Sequence, residues 1–390
     1  MRDGLRIIDA DRHVIEPIEM WREYLEPEFK DHAPYLQPVE PSEPMAERLA
    51  RYGPRATIPL PPVPMLDGQS LWQKVSPRAQ IELAWAAFCR PGHLAAAAAP
   101  DGQLRAMDHA GIDISFLYPT FATYLLGFDS LDPRLGSAFA RAYNTWLRGF
   151  CRRDPERLRG VGLISPHDPA SMVDELRRVA GFGWTAVVLR PNPVKGRLLG
   201  DPAYEPFWSA CEQLSVAVAI HEGTHARLPT AGADRFESRF ALHACSHPME
   251  QMMALLALIE GGVLERHPGL RVAFLESGCG WVPYWLHRLD AVEYKHLSGE
   301  VAETVRRAPS DYFRRQCMVG LEPDEPYLPV LAEHIGVDNL LFGTDFPHLD
   351  HDDDIVDEAL SLRRFLPEAS VRKLLWDNPA RFYGVPTERR

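Results

Sequence analysis

The chain lacks paired cysteines, an excess of basic residues, a membrane-length apolar run and any internal repeat. Each absence removes a class of protein. The six cysteines (Cys89, Cys151, Cys211, Cys245, Cys279 and Cys317) lie far apart with no CxxC among them, which argues against a zinc–thiolate centre. Their scatter suits free thiols in a reducing compartment better than a disulfide framework. Lysine and arginine together number 42 against 54 acids, a formal charge of −12. Phosphate backbones need a basic face, so nucleic acid is not the expected partner. No apolar run approaches the ~20 residues that span a bilayer, and no secretory signal precedes the first apolar run. The expectation is a cytoplasmic protein with no membrane partner. The missing repeat excludes a solenoid.

What is present suffices for a large core, since 46% of the 390 residues are hydrophobic. The 35 prolines are spread through apolar sequence, which implies long, shaped loops and not disorder. Short apolar runs recur at residues 5–8, 114–118, 161–164, 186–189, 216–220, 272–275, 317–320 and 339–342. They are apolar throughout instead of alternating, the pattern of parallel strands buried on both faces. Helix-like stretches separate them at 131–152, 171–179, 204–214, 248–265 and 281–294, and a last one, 370–382, closes the chain. Eight β-then-α units predict an α/β fold, a (β/α)8 TIM barrel, as one domain over residues 1–390. Residues 17–100 break the alternation, being far longer than a βα crossover. This insertion between the first and second strands holds "PRATIPLPPVP", Trp72 and Trp85. It is either a surface excursion or a lid, because βα loops sit at the catalytic face of a barrel.

In such a barrel the chemistry lies where strands end. The first run leads into "IIDADRHVIEP", with Asp9, Asp11 and His13. The fourth gives "LRPNP" with Arg190, and the fifth "IHEGTH" with His221, Glu222 and His225. The sixth gives "LESGCGW" with Glu276, the seventh "VGLEPDEP" with Glu322, Asp324 and Glu325, and the eighth "FGTDFPH" with Asp345 and His348. Asp11 and His13 are two apart and point the same way from a strand, with Asp9 one step deeper. Histidine nitrogen with carboxylate oxygen suits zinc, iron or manganese. Each residue alone has a plain structural reading: a hydrogen-bonded rim histidine, an N-cap aspartate, a salt-bridged glutamate. Together they weigh more, because burying so many acids without a cation is costly. His247, in "CSHPMEQMM", is read as the start of a long helix that either reaches the site or only caps it. His225, His243 and His348 are lesser candidates. Arg190 either pairs with the site's acids or clamps a substrate carboxylate or phosphate. Glu16 is read as a turn residue leading into the insertion, solvated or touching substrate.

These motifs resemble the amidohydrolase superfamily, in particular the branch of aminocarboxymuconate-semialdehyde and resorcylate-type decarboxylases. "DADRHVIEP" is similar to that branch's strand-one motif, "HPGLRVAFLESGCGWVPYWLHRLD" to its strand-six block, "LLFGTDFPH" to its strand-eight block and "DNPARFYGV" to its usual end. "GLEPDEP" is similar to its strand-seven segment. The resemblance spans nearly the whole chain. It implies that Asp11, His13, His221 and Asp345 ligate one or two divalent metal ions (iron, zinc or manganese). Two departures stand out: DxH replaces the usual HxH or ExH on strand one, and Glu276 stands where histidine is common on strand six. Arg190 occupies the strand-four position of a bridging residue, so a second ion would need Glu276 or His247.

The leading expectation is therefore a metal-dependent hydrolase, with Asp345, His221 and Arg190 catalytic, acting on an ester, thioester, amide or carbon–carbon bond next to a carbonyl. Its substrate would be a small molecule with an apolar or aromatic acyl group. The alternative is nonoxidative decarboxylation of a hydroxylated aromatic acid, with Asp345 protonating the ring; Glu276 in place of histidine favours hydrolysis. A metal-free binding barrel is the reading from another class. The resemblance also implies a homodimer by analogy.

Overall fold

The computed structural model describes residues 1–72, 76–90, 92–222, 227–349 and 353–386, without the side chains of 87–89. The first strand, β1, is Ile8–His13. Next come three short strands, β2 (Tyr35–Gln37), β3 (Val63–Leu66) and β4 (Gln69–Ser70), paired antiparallel in a small sheet of their own. The remaining strands are β5 (Ile114–Tyr118), β6 (Leu158–Gly160), β7 (Gly162–Leu163), β8 (Ala186–Leu189), β9 (Ala217–His221), β10 (Val272–Leu275), β11 (Cys317–Leu321) and β12 (Leu340–Phe342).

Two parallel sheets, β1-β5-β6 and β12-β11-β10-β9-β8-β7, form the barrel wall. Val161 separates β6 from β7, and its N–H bonds Leu117 O at 3.1 Å, so the two pieces act as one broken third strand. At the other seam the N–H groups of Thr344 and Asp345 bond Asp11 O at 3.1 and 2.8 Å, and His13 N–H bonds Phe346 O at 2.7 Å. The ring is thus an eight-stranded TIM barrel with helices between successive strands. Its wall is continuous apolar sequence, buried on both faces: Val272, Ala273 and Phe274 of β10 are wholly inaccessible, as are Val218, Ala219 and Ile220 of β9.

The first strand does not lie at residues 5–8, as its apolarity suggests, but runs through the acids to His13. Apolarity fails as a signal there because its buried side chains are the site's own polar groups. A bulge sets three steps of β1, from Asp9 to Arg12, against two of β5. That extra residue turns Asp9 away from Asp11 and His13 and toward Arg12. A second difference concerns the long helix after β9. It begins at Arg239, with the Ser238 hydroxyl accepting from Ala241 N–H at 3.2 Å, and Pro248 lies inside it. His247 is therefore well within a helix and not at its start.

The insertion is made of helices Ile18–Tyr24, Met45–Tyr52, Pro77–Cys89 and His93–Ala97 around the β2–β4 sheet. It is anchored, since Trp21 is fully buried edge-on against Phe139 at 5.7 Å. Glu16, at its root, is neither solvated nor free to meet substrate. It is buried, and its carboxylate accepts backbone N–H groups from Thr120, Phe121 and Ala122 at 3.0–3.3 Å. Among the described residues no helix is long and apolar enough to cross a membrane.

Candidate metal centre

The ends of β1, β9, β10 and β12 converge. Nε2 of His13 lies 3.1 Å from Nε2 of His221, and 3.1 Å from Asp345 Oδ1. Asp11 Oδ1 is 3.4 Å from both imidazole nitrogens. Glu276 Oε2 stands 3.3 Å from His221 Nε2, and its other oxygen is 3.3 Å from His247 Nε2. The ligand atoms of Asp11, His13 and His221 form one compact group, and those of His13, Glu276, Asp345 and His348 another.

Backbone contacts explain the convergence. Asp11 sits against Gly343, where any side chain would place its Cβ 2.5 Å from Asp11 Cβ. Asp345 and Glu276 both adopt left-handed backbone, with φ of 48° and 50°, strain of the kind retained at functional sites. Gln251 donates to Ile220 O and Leu275 O, each at 3.0 Å, which docks its helix on the ends of β9 and β10. His247, one turn earlier on the same face, is thereby held over those strand ends.

The donor set fits a cation. A carbonyl can only accept, so His13 Nδ1–H donates to Pro119 O at 2.9 Å and His221 Nδ1–H to Glu222 O at 2.7 Å. In the neutral rings the two Nε2 lone pairs therefore face each other and the carboxylates with no hydrogen between them. Asp11 Oδ1 and Asp345 Oδ2 are buried with no hydrogen-bond partner. Such a cluster needs positive charge at its centre. Burial pushes the His13 and His221 pKa values down, but the surrounding carboxylates outweigh it and raise both. Burial pushes the Asp345 carboxyl up, yet His348 and His13 hold it well below the usual carboxylate range.

The remaining expected residues divide. Asp9 does not face the site: its carboxylate pairs with Arg12 at 3.3 Å and accepts from Thr344 Oγ1 at 2.6 Å. Arg190 is buried behind the group, with Nη2 3.1 Å from Glu222 Oε1 and Nε 3.3 Å from Asn192 Oδ1. It holds the strand-five loop and does not line the cavity in front of the ligands. Of the strand-seven acids, Glu325 accepts from the N–H groups of Cys279, Gly280 and Glu322 and ties two loops together. His225 lies outside the described residues. His348 is far more central than its place in the sequence suggests: Nδ1 is 2.8 Å from Asp345 Oδ1, and its ring lies 4.2 Å from that of His13. The three-residue offset of "DFPH" was the available signal.

A cavity of about 400 Å³ opens in front of the ligands, in the range of sites that enclose small organic molecules. His13, His221, His247, His348 and Glu276 line its barrel side. Leu36, Pro61, Pro62, Pro64, Trp72 and Leu83 of the insertion line the other, with Phe121 and Tyr124 between. Arg239 also lines it. Sequence reasoning missed Arg239 because it began that helix nine residues too late.

Comparison with known proteins adds a family and a set of relatives. A family model described as amidohydrolase matches residues 8–385. The 2-amino-3-carboxymuconate-6-semialdehyde decarboxylase of Dictyostelium discoideum is 26% identical over 253 residues, covering 64% of this chain and 66% of the relative. The gamma-resorcylate decarboxylase of Rhodococcus jostii (strain RHA1) is 28% identical over 225 residues, 53% of this chain and 66% of the relative. The chain thus spans just under two thirds of the length of these relatives. Among solved structures, an amidohydrolase from Mycobacterium avium subsp. paratuberculosis K-10 superposes with a TM-score of 0.73 at 23% identity, covering 98% of this chain and all of that one. The 5-carboxyvanillate decarboxylase of Novosphingobium aromaticivorans DSM 12444, complexed with manganese and 4-hydroxy-3-methoxy-5-nitrobenzoic acid, gives 0.69 at 18% identity, covering 98% and 97%. At these identities the structural matches establish the shared fold.

Proposed function

The chain belongs to the amidohydrolase family, and from that premise we propose that it is a metal-dependent nonoxidative decarboxylase of a hydroxylated aromatic acid. The observation that carries the reading is the 3.1 Å approach of His13 and His221 Nε2 beside buried Asp11 and Asp345, at the mouth of a largely apolar cavity. Decarboxylases among the relatives move the preference away from hydrolysis, the leading expectation from the sequence. Glu276 favours hydrolysis when only its residue type is considered, but its surroundings give it a different role. Its Oε1 is 3.3 Å from His247 Nε2 and gives that imidazole a carboxylate partner.

Asp11, His13, His221 and Asp345 would hold the ion. A bound divalent cation, manganese in the carboxyvanillate decarboxylase complex, would supply the positive charge that anchors a substrate carboxylate and neighbouring hydroxyl. Trp72, Phe121 and Tyr124 bury the ring, and Arg239 offers a second charge to an acidic or polar substituent. His247 then delivers its proton to the ring carbon that bears the carboxylate. The carbon–carbon bond breaks, carbon dioxide leaves, and the bonding pair restores the aromatic ring. Solvent returns a proton to His247. Asp345, expected as the proton carrier, is assigned to holding the ion instead, because it stands among the ligand atoms and is not among the residues lining the cavity.

The test is incubation of metal-loaded protein with a panel of hydroxylated benzoic acids in deuterated water. Released carbon dioxide and one deuterium at the vacated carbon are expected, and His247→Ala should remove both. Cleavage of esters or thioesters, with no carbon dioxide from any acid, would return the reading to hydrolysis.

A further inference from the structure

We propose that a second cavity, behind His348 as seen from the candidate metal centre, binds a small planar oxyanion, a carboxylate or bicarbonate. The cavity is about 350 Å³ and is lined by Arg12, Arg90, His93, Arg105, His109 and His348. Arg90, His93 and His348 line the larger cavity too, so the two spaces meet at these side chains.

Arg12 is the built part of the site. It is 2% exposed, and its guanidinium lies over the Phe346 ring at 4.1 Å. Stacking leaves the N–H edges of the plane for hydrogen bonds. Nε donates to Gln103 Oε1 at 2.6 Å, and Nη1 donates to Asp9 Oδ2 at 3.3 Å. Nη2 is buried with no hydrogen-bond partner. A buried cationic N–H left unpaired is costly, and an accepting oxygen in the cavity removes the cost. Arg105 and His109 stand one turn apart on the helix Pro100–Ala110; Arg105 adds positive charge and His109 a ring nitrogen from the same face. Asp353 carries the one carboxylate among the described lining residues, and it faces His93 at 3.5 Å. The N–H groups of Nη2 lie in the guanidinium plane, which suits the oxygens of a planar oxyanion better than a point charge would.

The ligand could be a free anion or the carboxylate arm of a long substrate reaching past His348. Neither depends on the proposed decarboxylation. Thermal unfolding of metal-loaded protein is followed during titration with sodium bicarbonate, sodium acetate, benzoate and isophthalate, with sodium chloride at matched ionic strength as the control. Saturable protection by bicarbonate or acetate identifies a free anion. Protection by isophthalate at concentrations at least tenfold below benzoate identifies a substrate arm. In either case Arg105→Glu, an exposed position outside the metal centre, should weaken the apparent affinity at least tenfold. An unchanged titration in Arg105→Glu would place the anion elsewhere, on the metal for example, and overturn the proposal. So would protection by chloride alone, or no protection by any of the probes.

Discussion

The two walls of the main cavity differ in origin and in chemistry. The barrel wall presents His13, His221, Glu276 and His348 from strand ends fixed by backbone hydrogen bonds, and His247 from the helix docked over them. The facing wall presents Leu36, Pro61, Pro62, Pro64 and Trp72 from an insertion that, among the described residues, shares no strand ladder with the barrel. The barrel thus holds charge where reaction needs it, and the insertion supplies apolar surface that selects what enters. Changes on the two walls should fail in different ways: one in turnover and metal content, the other in substrate preference.

The largest effect is expected from the barrel wall. His221→Ala should reduce turnover to background and strip the metal, read by activity and elemental analysis; full activity in that variant would sink the ligand assignment. Gly343→Ala should come close to it without replacing a ligand. Its new methyl would sit 2.5 Å from Asp11 Cβ and push that carboxylate out of place. Lower metal occupancy with a folded far-ultraviolet spectrum is the expected signature; unchanged occupancy would mean that Asp11 is not held by this contact.

On the insertion wall, Trp72→Ala should raise KM about tenfold for substrates with apolar substituents and leave metal content intact, since removing a contact of this kind is worth roughly 1–3 kcal/mol. An equal loss on every substrate would blur the division between the walls.

The smallest effect concerns Glu250, behind the barrel wall. Burial and the neighbouring Glu222 push its carboxyl up from 4.5 to about 7. The folded chain then keeps a proton that the unfolded chain has lost, so stability falls as pH rises from 4.5 through 7. Glu250→Gln should keep the acceptor for Ala231 N–H and abolish that fall. The variant should exceed the wild type by on the order of 2 kcal/mol at pH 8 and match it near pH 4.5. Parallel denaturation curves at both pH values would contradict this.

The barrel was legible because its parallel strands are apolar on both faces, and the runs at 114–118 and 272–275 coincide with β5 and β10. The first strand was misplaced for the opposite reason: Asp9, Asp11 and His13 are polar residues inside a buried strand. Proline at 248 was a false start signal, which displaced His247 along its helix and hid Arg239. Asp11, His13, His221 and Asp345 were legible as candidates by their position at strand ends and by resemblance. What position could not convey was orientation. The bulge in β1 takes Asp9 out of the group, and Glu222 occupies Arg190. The burial of Glu16 depends on three N–H groups more than a hundred residues away, which no local pattern reveals.

The central claim is that the barrel wall is a metal centre. The most direct measurement is bound metal per chain by elemental analysis, on protein purified without chelator, for the wild type and for His13→Ala. The account predicts about one divalent ion per wild-type chain and close to none in the variant. A wild-type chain without metal, or a variant that keeps it, would contradict the account.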